Sequence, residues 1–345
     1  MSDYNYLNAR IKALKKNLFP KGKMDELLSL HDFEAIKRFF LESPYKTSVS
    51  ESLAQNPGEV GLEQGLSRHI HKTFQDILEW AGEEVQSLLE IFLRRYDLHN
   101  IKTLLRGKNG KVPAEAIFES LIPVGRFGPE ELKELSRQPL LRDTLALLSD
   151  WYKPLKQVLR RGLVSLRQEP ADLQPLEAEL DRYYYKGMLD SLSEEETEDA
   201  LLVKKYIQME LDMTNVLTVM RLGDVPRTTL SKYILEGGSL GKAFLFSISG
   251  KLRPAEWVQK FDVTYLAHAV RAWKFEEGLT DLERRFELSL LKDAQRMERA
   301  DPLSVGVAIS YCSLLSHELK RLRMILHGKR FVVDEARLRE ELLLV

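Results

Sequence analysis

Apolar positions recur at steps of three and four residues along most of this chain, the period of an amphipathic helix. Tyr6, Leu7, Ile11, Leu14 and Leu18 form one such stripe; Val85, Leu88, Leu89, Phe92 and Tyr96 form another. Leu314, Leu315, Leu319, Leu322 and Ile325 form a third. The alternation expected of strands is nearly absent, and Phe331–Val333 is the best short candidate for one. The pattern therefore predicts an all-α fold. Gly and Pro gather where helices should join: 57–65, 107–113, 123–129, 223–226 and 237–241. Glu194, Glu195, Glu196 and Glu198 read as a solvated turn between helices.

The longest apolar run, Pro302–Leu315, is shorter than the roughly 20 residues needed to cross a bilayer. Asp301 and Pro302 read as the cap and first residue of a buried helix. Residues 1–19 mix charge with apolar residues and predict no signal peptide. No transmembrane segment is expected.

Three stretches resemble one another. Asp97, Asn100 and Ile101 close on Arg106-Gly107-Lys108, and Asp212, Asn215 and Val216 close on Arg221-Leu222-Gly223. Glu318, Arg321 and Leu322 close on His327-Gly328-Lys329. Each stretch carries an acid, a polar residue three positions on, an aliphatic residue and a basic helix end. The acids lie 115 and 106 residues apart, about a third of the 345-residue chain. A new helix is expected after each, at Pro113–Ile117, Arg227–Leu230 and Asp334–Leu338, and a long helix pair before each, near 66–96, 176–211 and 282–316. The chain thus reads as three diverged copies of one helical unit, 1–112, 113–225 and 226–345.

Arg106, Arg221 and His327 fall in last turns, where positive charge meets the negative end of the helix dipole. Gly107 and Gly328 are expected at the left-handed position that ends a helix. Asn100 and Asn215 share a face with the acids at i−3 and are expected to bond a neighbouring helix. These signature residues, Asp97, Asn100, Arg106, Asp212, Asn215, Arg221, Glu318, Arg321 and His327, predict a structural role. Arg321 replaces the asparagine in the third copy, which puts a shared role there in question.

Composition adds exclusions. Lys plus Arg total 51 against 52 Asp plus Glu, which argues against general nucleic-acid binding. The lone Cys312 precludes an intrachain disulfide or a multi-thiolate zinc site. Seven histidines include no His-Glu-x-x-His, and His69 and His71 are two apart on a helix and cannot chelate together, so they read as surface or helix-end residues. No metal and no cofactor is expected. Gly237-Gly238-Ser239-Leu240-Gly241 matches the G-x-S-x-G of serine hydrolases, with Asp262 and His268 following, but no strand is predicted before it and Trp257–Trp273 reads as helix. Ala243 stands where a P-loop needs a hydroxyl. Tyr183, Tyr184 and Tyr185 are expected as one core, one boundary and one surface residue; the four tryptophans read as packing anchors. No catalytic constellation emerges.

The opening Tyr4, Tyr6, Leu7, Asn8, Ala9 and Arg10, the stretch Asp97–Lys108, and the closing Pro302–Gly306 through Leu322-Arg323 and Gly328-Lys329 together resemble a known family. The chain is similar to the C subunit of bacterial and archaeal V/A-type rotary ATPases, the counterpart of the d subunit in eukaryotic vacuolar ATPases. The resemblance implies three similar helical domains in a pseudo-threefold funnel and no catalytic residues. It implies a central-stalk protein on the cytoplasmic side of the membrane, seating a rotor shaft of the D and F subunits on a proteolipid ring. Torque would then couple proton or sodium transport to ATP synthesis or hydrolysis. The residues alone support a more general alternative, a helical repeat scaffold for unrelated partners.

Overall fold

The structure, a computed structural model, describes residues 4–162, 172–194, 197–250 and 252–343, and among these every regular element is helical. In chain order they are α1 (Tyr4–Lys15), α2 (Lys21–Ser29), α3 (Phe33–Leu41), α4 (Lys46–Gln55), α5 (Glu59–Trp80), α6 (Glu83–Asn109) and α7 (Ala114–Glu119). Next come α8 (Pro129–Arg137), α9 (Leu141–Trp151), α10 (Leu155–Gly162), α11 (Gln174–Ser193) and α12 (Glu198–Leu222). The series ends with α13 (Arg227–Leu230), α14 (Lys242–Ser247), α15 (Pro254–Phe261), α16 (Ala267–Arg271), α17 (Gly278–Ala300), α18 (Gly306–Arg330) and α19 (Glu335–Leu343). The all-α expectation holds. The long helices follow one another in pairs, α5 and α6, α11 and α12, α17 and α18, and a shorter helix follows each pair.

Local chemistry sets the ends. Asp32 accepts a hydrogen bond from the Ala35 N–H at 2.8 Å to start α3, and the Thr197 hydroxyl accepts from Ala200 N–H at 3.1 Å to start α12. Pro129 occupies the first turn of α8, where a missing N–H costs nothing. In α6, Glu83 and Glu84 open the helix while Arg106 and Lys108 close it, both in the sense the dipole favours.

The residues pack as two compact units. The first comprises Met1–Leu180 and Tyr311–Val345, the second Asp181–Ser310, so α11 and α18 each belong partly to both. In the first unit Leu7, Ile11, Phe40, Leu66, Phe92, Leu105, Leu319 and Leu322 are buried, and each full burial contributes about 1.5–3 kcal/mol. Phe19, Phe40 and Tyr45 meet at ring distances of 5.5–6.5 Å. In the second unit α12 packs on α17, with Val203, Ile207, Leu211, Phe286 and Leu290 between polar faces.

Several expectations are corrected. Phe331–Val333 is a turn rather than a strand, with Val332 in the left-handed region at φ 53°. Asp301 does not start a helix at Pro302: its carboxylate accepts from Leu303 N–H at 2.9 Å, closing a turn two residues on, and α18 begins at Gly306. Residues 257–273 are two helices, broken where the Thr264 hydroxyl turns back to the Phe261 carbonyl at 2.8 Å. Tyr184 and Tyr185 are both buried, because α11 is covered on more than one side, and Tyr183 is half-buried. Of the tryptophans only Trp257 is core; Trp151 is exposed and Trp80 and Trp273 are intermediate. In the acidic run, Glu195 and Glu196 lie outside the described residues, and Glu198 opens α12. No helix among the described residues is long and apolar enough to cross a membrane.

Candidate functional site

The three signatures occupy α6, α12 and α18, and their acids and asparagines turn inward. Asn100 is fully buried; its amide donates to the Ile122 carbonyl at 2.6 Å and accepts from the Ile122 N–H at 2.8 Å. Asn215 does the same to Leu235, at 2.9 and 2.8 Å. One planar amide thus satisfies both backbone groups of a loop residue that no helix or sheet would otherwise pair. The partner is a loop backbone, not the neighbouring helix expected from sequence.

The acids three residues earlier hold the same loops further along. Asp97 accepts from Arg126 N–H at 2.8 Å. Burial pushes its carboxyl up to about 7, against the pull of the N–H groups of Arg126 and Phe127. Asp212 accepts from Ser239 N–H at 3.0 Å, Leu240 N–H at 3.1 Å, the Ser239 hydroxyl at 2.5 Å and the Tyr265 hydroxyl at 3.0 Å. The loops come so close that a Cβ on Gly125 or Gly238 would collide with the carboxylate of Asp97 or Asp212. Glu318 accepts from Phe19 N–H at 2.5 Å and from the Tyr45 hydroxyl at 2.6 Å, and burial raises its carboxyl. Each acid thus binds a backbone N–H two residues ahead of a short helix: Phe127 before α8, Leu240 before α14, Phe19 before α2. Arg321 makes no counterpart of the asparagine bonds. It lines a cavity of about 70 Å³ with Asp25 and Arg339, and its buried Nε has no hydrogen-bond partner.

The glycines of the closing stretch have a different reason from the one expected. α6 and α18 run past Gly107 and Gly328, and the left-handed residues are Lys111 at φ 54° and Val332 at 53°. A Cβ on Gly107 would sit 2.6 Å from Ile117, and one on Gly328 2.5 Å from Leu338. Both glycines let the following helix, α7 or α19, press against the long one. Of the three closing glycines, Gly223 alone ends its helix at positive φ, with φ 64° and ψ −129°. The lysines after the glycines reach the far ends of other helices. Lys108 donates to the carbonyls of Ser136 and Gln138 at the end of α8, and Lys329 to those of Leu28 and Leu30 at the end of α2. Last-turn carbonyls lack intrahelical donors, so an ammonium group suits them.

The basic residues of the last turns each meet an acid near the start of a long helix. Arg106 grips Glu177 of α11 with two bonds, 2.7 and 2.5 Å. Arg221 meets Glu283 of α17 at 2.7 Å. His327 Nε2 lies 3.3 Å from Glu119 of α7 and 3.8 Å from Glu63 of α5. Glu63 is also paired at 3.3 Å with Arg323, which donates to the Leu121 carbonyl at 2.6 Å and the Ser67 hydroxyl at 2.8 Å. Exposure separates the three joints: Arg106 and Arg221 side chains are 58% and 50% exposed and His327 33%, while the Arg323 and Glu63 beside His327 are only 8% and 7%. The first two are screened by water; the third is an enclosed network whose members depend on one another.

Among the described residues the serine-hydrolase candidates do not form a nucleophile–base pair. The Ser239 hydroxyl donates to Asp212, Asp262 is paired with Arg271 at 2.8 Å, and no strand precedes the glycine turn. His69 and His71 lie mid-way along α5 rather than at its end, and both are part-exposed. His69 stacks on Tyr45 and burial lowers it to about 4; His71 Nδ1 is 3.0 Å from the Pro123 carbonyl. Burial raises the Cys312 thiol far above its ordinary value. Among the described residues no three His, Cys, Asp or Glu gather as a metal site. Sequence reasoning missed Glu63, Glu119, Glu177, Glu283 and Arg323. A usable signal existed for three of them, since an acid lies within the first two turns of α5, α11 and α17 alike.

The whole chain is similar to known proteins. Residues 7–341 match the family described as ATP synthase (C/AC39) subunit. The C subunit of the A-type ATP synthase of Methanococcoides burtonii is 30% identical over 99% of this chain and 95% of its own. That of Methanosarcina barkeri is 29% identical over 100% and 94%, and the C subunit of the V-type ATP synthase of Deinococcus radiodurans 26% over 98% and 91%. Full-length similarity of this kind places this helical chain in the ATP synthase (C/AC39) subunit family, among the C subunits of V/A-type rotary ATPases.

Proposed function

We propose that this chain is the non-catalytic coupling element of the central stalk. It seats a shaft of the D and F subunits on the membrane proteolipid ring, on the cytoplasmic side, and transmits torque between them. Its three copies, 1–112, 113–225 and 226–345, would surround the axis of a funnel. The supporting observation is the order of the joints. α6 pairs with α11, α12 with α17, and α18 returns to α5, so each signature helix reaches the next long pair and the last reaches the first. Such an order suits a body that must take load equally from a shaft. These copies cut across the two compact units, because the end of α18 packs with α2 and α5.

A shaft seated along an axis would bury more than a standard interface of about 1,600 Å². Adding the D–F complex should therefore slow hydrogen exchange in loops of all three copies. Protection confined to one copy would contradict axial seating.

A further inference from the structure

The three joints are built alike except at one position. Where the first and second copies close with Arg106 and Arg221, the third closes with His327. An arginine stays charged throughout the physiological range, whereas histidine changes charge near neutrality. Its surroundings magnify the change. Glu59 and Glu63 face this region from α5, Glu119 from α7, and Arg323 and Arg330 from α18. His31 faces it across a cavity of about 100 Å³ that His327 and Glu63 also line. A second cavity, of about 230 Å³, is lined by Glu63 and Glu119 together with Glu115 of α7 and Lys133 and Arg137 of α8. Glu63 Oε1 and His327 Nε2 are both buried without an aligned hydrogen-bond partner and lie 3.8 Å apart, with Glu119 3.3 Å from the same nitrogen. Lys329 offers no alternative cation, since its ammonium is turned to the carbonyls of α2.

We infer that the α18–α5–α7 joint is a proton-operated latch, closed when His327 bridges Glu119 and Glu63 as an imidazolium and loosened when the ring is neutral. The other two joints, held by arginines, stay fixed over the same range. This inference stands apart from the proposed coupling role, because it concerns contacts within one compact unit.

The direction follows from linkage. Glu119, 3.3 Å from the ring nitrogen, and the charge of Glu63 raise His327 above its ordinary value, outweighing burial. The stabilisation is therefore complete below the unfolded value near 6.5 and is lost as pH rises through the higher folded value. Glu63, raised by burial, acts in the same sense. Burial tends to raise Glu119, but His327 and Arg330 outweigh it and hold the carboxyl low, so it stays charged where the histidine titrates.

The test is hydrogen exchange on the full chain, corrected for intrinsic rates, between about pH 5.5 and 8.5. Protection of the α7 amides and the last turns of α18 should fall with rising pH, by up to about tenfold for each unit of upward shift. His327→Arg should keep protection high and flat, and Arg106→His should give the end of α6 a pH dependence it lacks. Unchanged pH dependence in His327→Arg would overturn the latch. If a variant does not fold, titration of the His327 imidazole by NMR in the unaltered chain decides. A value above about 6.5 that tracks the loss of protection supports the latch; an unshifted one refutes it.

Discussion

The carboxylate of Glu318 accepts the backbone N–H of Phe19 at 2.5 Å, across 299 residues of sequence. Asp97 and Asp212 hold loops only 27 to 29 residues downstream. The third signature is thus completed by an early segment, through Phe19 and Tyr45 at the acid and through Leu28 and Leu30 at Lys329. Glu318→Ala would strand the Phe19 N–H and the Tyr45 hydroxyl, at about 1–3 kcal/mol for each orphaned group. Urea denaturation should show this loss, and Glu318→Gln, which can still accept, should show less.

The asparagine clamps make a sharper chemical prediction. Asn100→Asp keeps shape and acceptor but loses the donor to the Ile122 carbonyl. A carboxylate would then face that carbonyl in a buried site. Asn100→Asp should therefore be no more stable than Asn100→Ala above about pH 6, and Asn215 should follow the same rule against Leu235. Thermal unfolding of the four variants checks it.

Close packing explains Gly107 and Gly328, so their cost should depend on the neighbour. Gly107→Ala should destabilise by about 1–3 kcal/mol through overpacking. Trimming Ile117 to alanine in the same chain should recover part of that loss, because Ile117 is the atom group in the way. Gly223→Ala should cost about 1–2 kcal/mol from its positive-φ backbone instead. No neighbour lies within 4 Å of that added methyl, so trimming a side chain should not relieve it.

The ion pairs should differ by exposure. Removing Arg221 from its half-exposed pair should cost under about 1 kcal/mol. Arg323→Ala would leave Glu63 buried without its guanidinium, and the Leu121 carbonyl and Ser67 hydroxyl without their donor, at about 3–5 kcal/mol. Denaturation of the two variants side by side, at low salt and at about 0.5 M added salt, should show salt sensitivity only for the exposed pair.

Much of this was legible in the sequence because helices announce themselves locally. The stripe at Val85–Tyr96, the basic ends at Arg106, Arg221 and His327, and the short helices after them follow from periodicity and dipole alone. What could not be read depends on distance along the chain. Arg323 and Glu63 are 260 residues apart, and no local pattern marks one as the partner of the other. The asparagines were visible but not their partners, since a loop backbone offers the same groups whatever its side chains. Gly107 misled for a related reason: a glycine near a helix end suggests a left-handed residue, yet here the space is taken by Ile117.

The central claim, mechanical coupling, is tested most directly by rebuilding the machine. Membranes would keep the proteolipid ring but be stripped of this chain and of the catalytic head. The purified chain would be added back before head and shaft, and ATP-driven ion pumping followed. The account predicts that pumping returns only when the chain is present. Equal pumping without it, in membranes where the native protein is needed, would contradict the account.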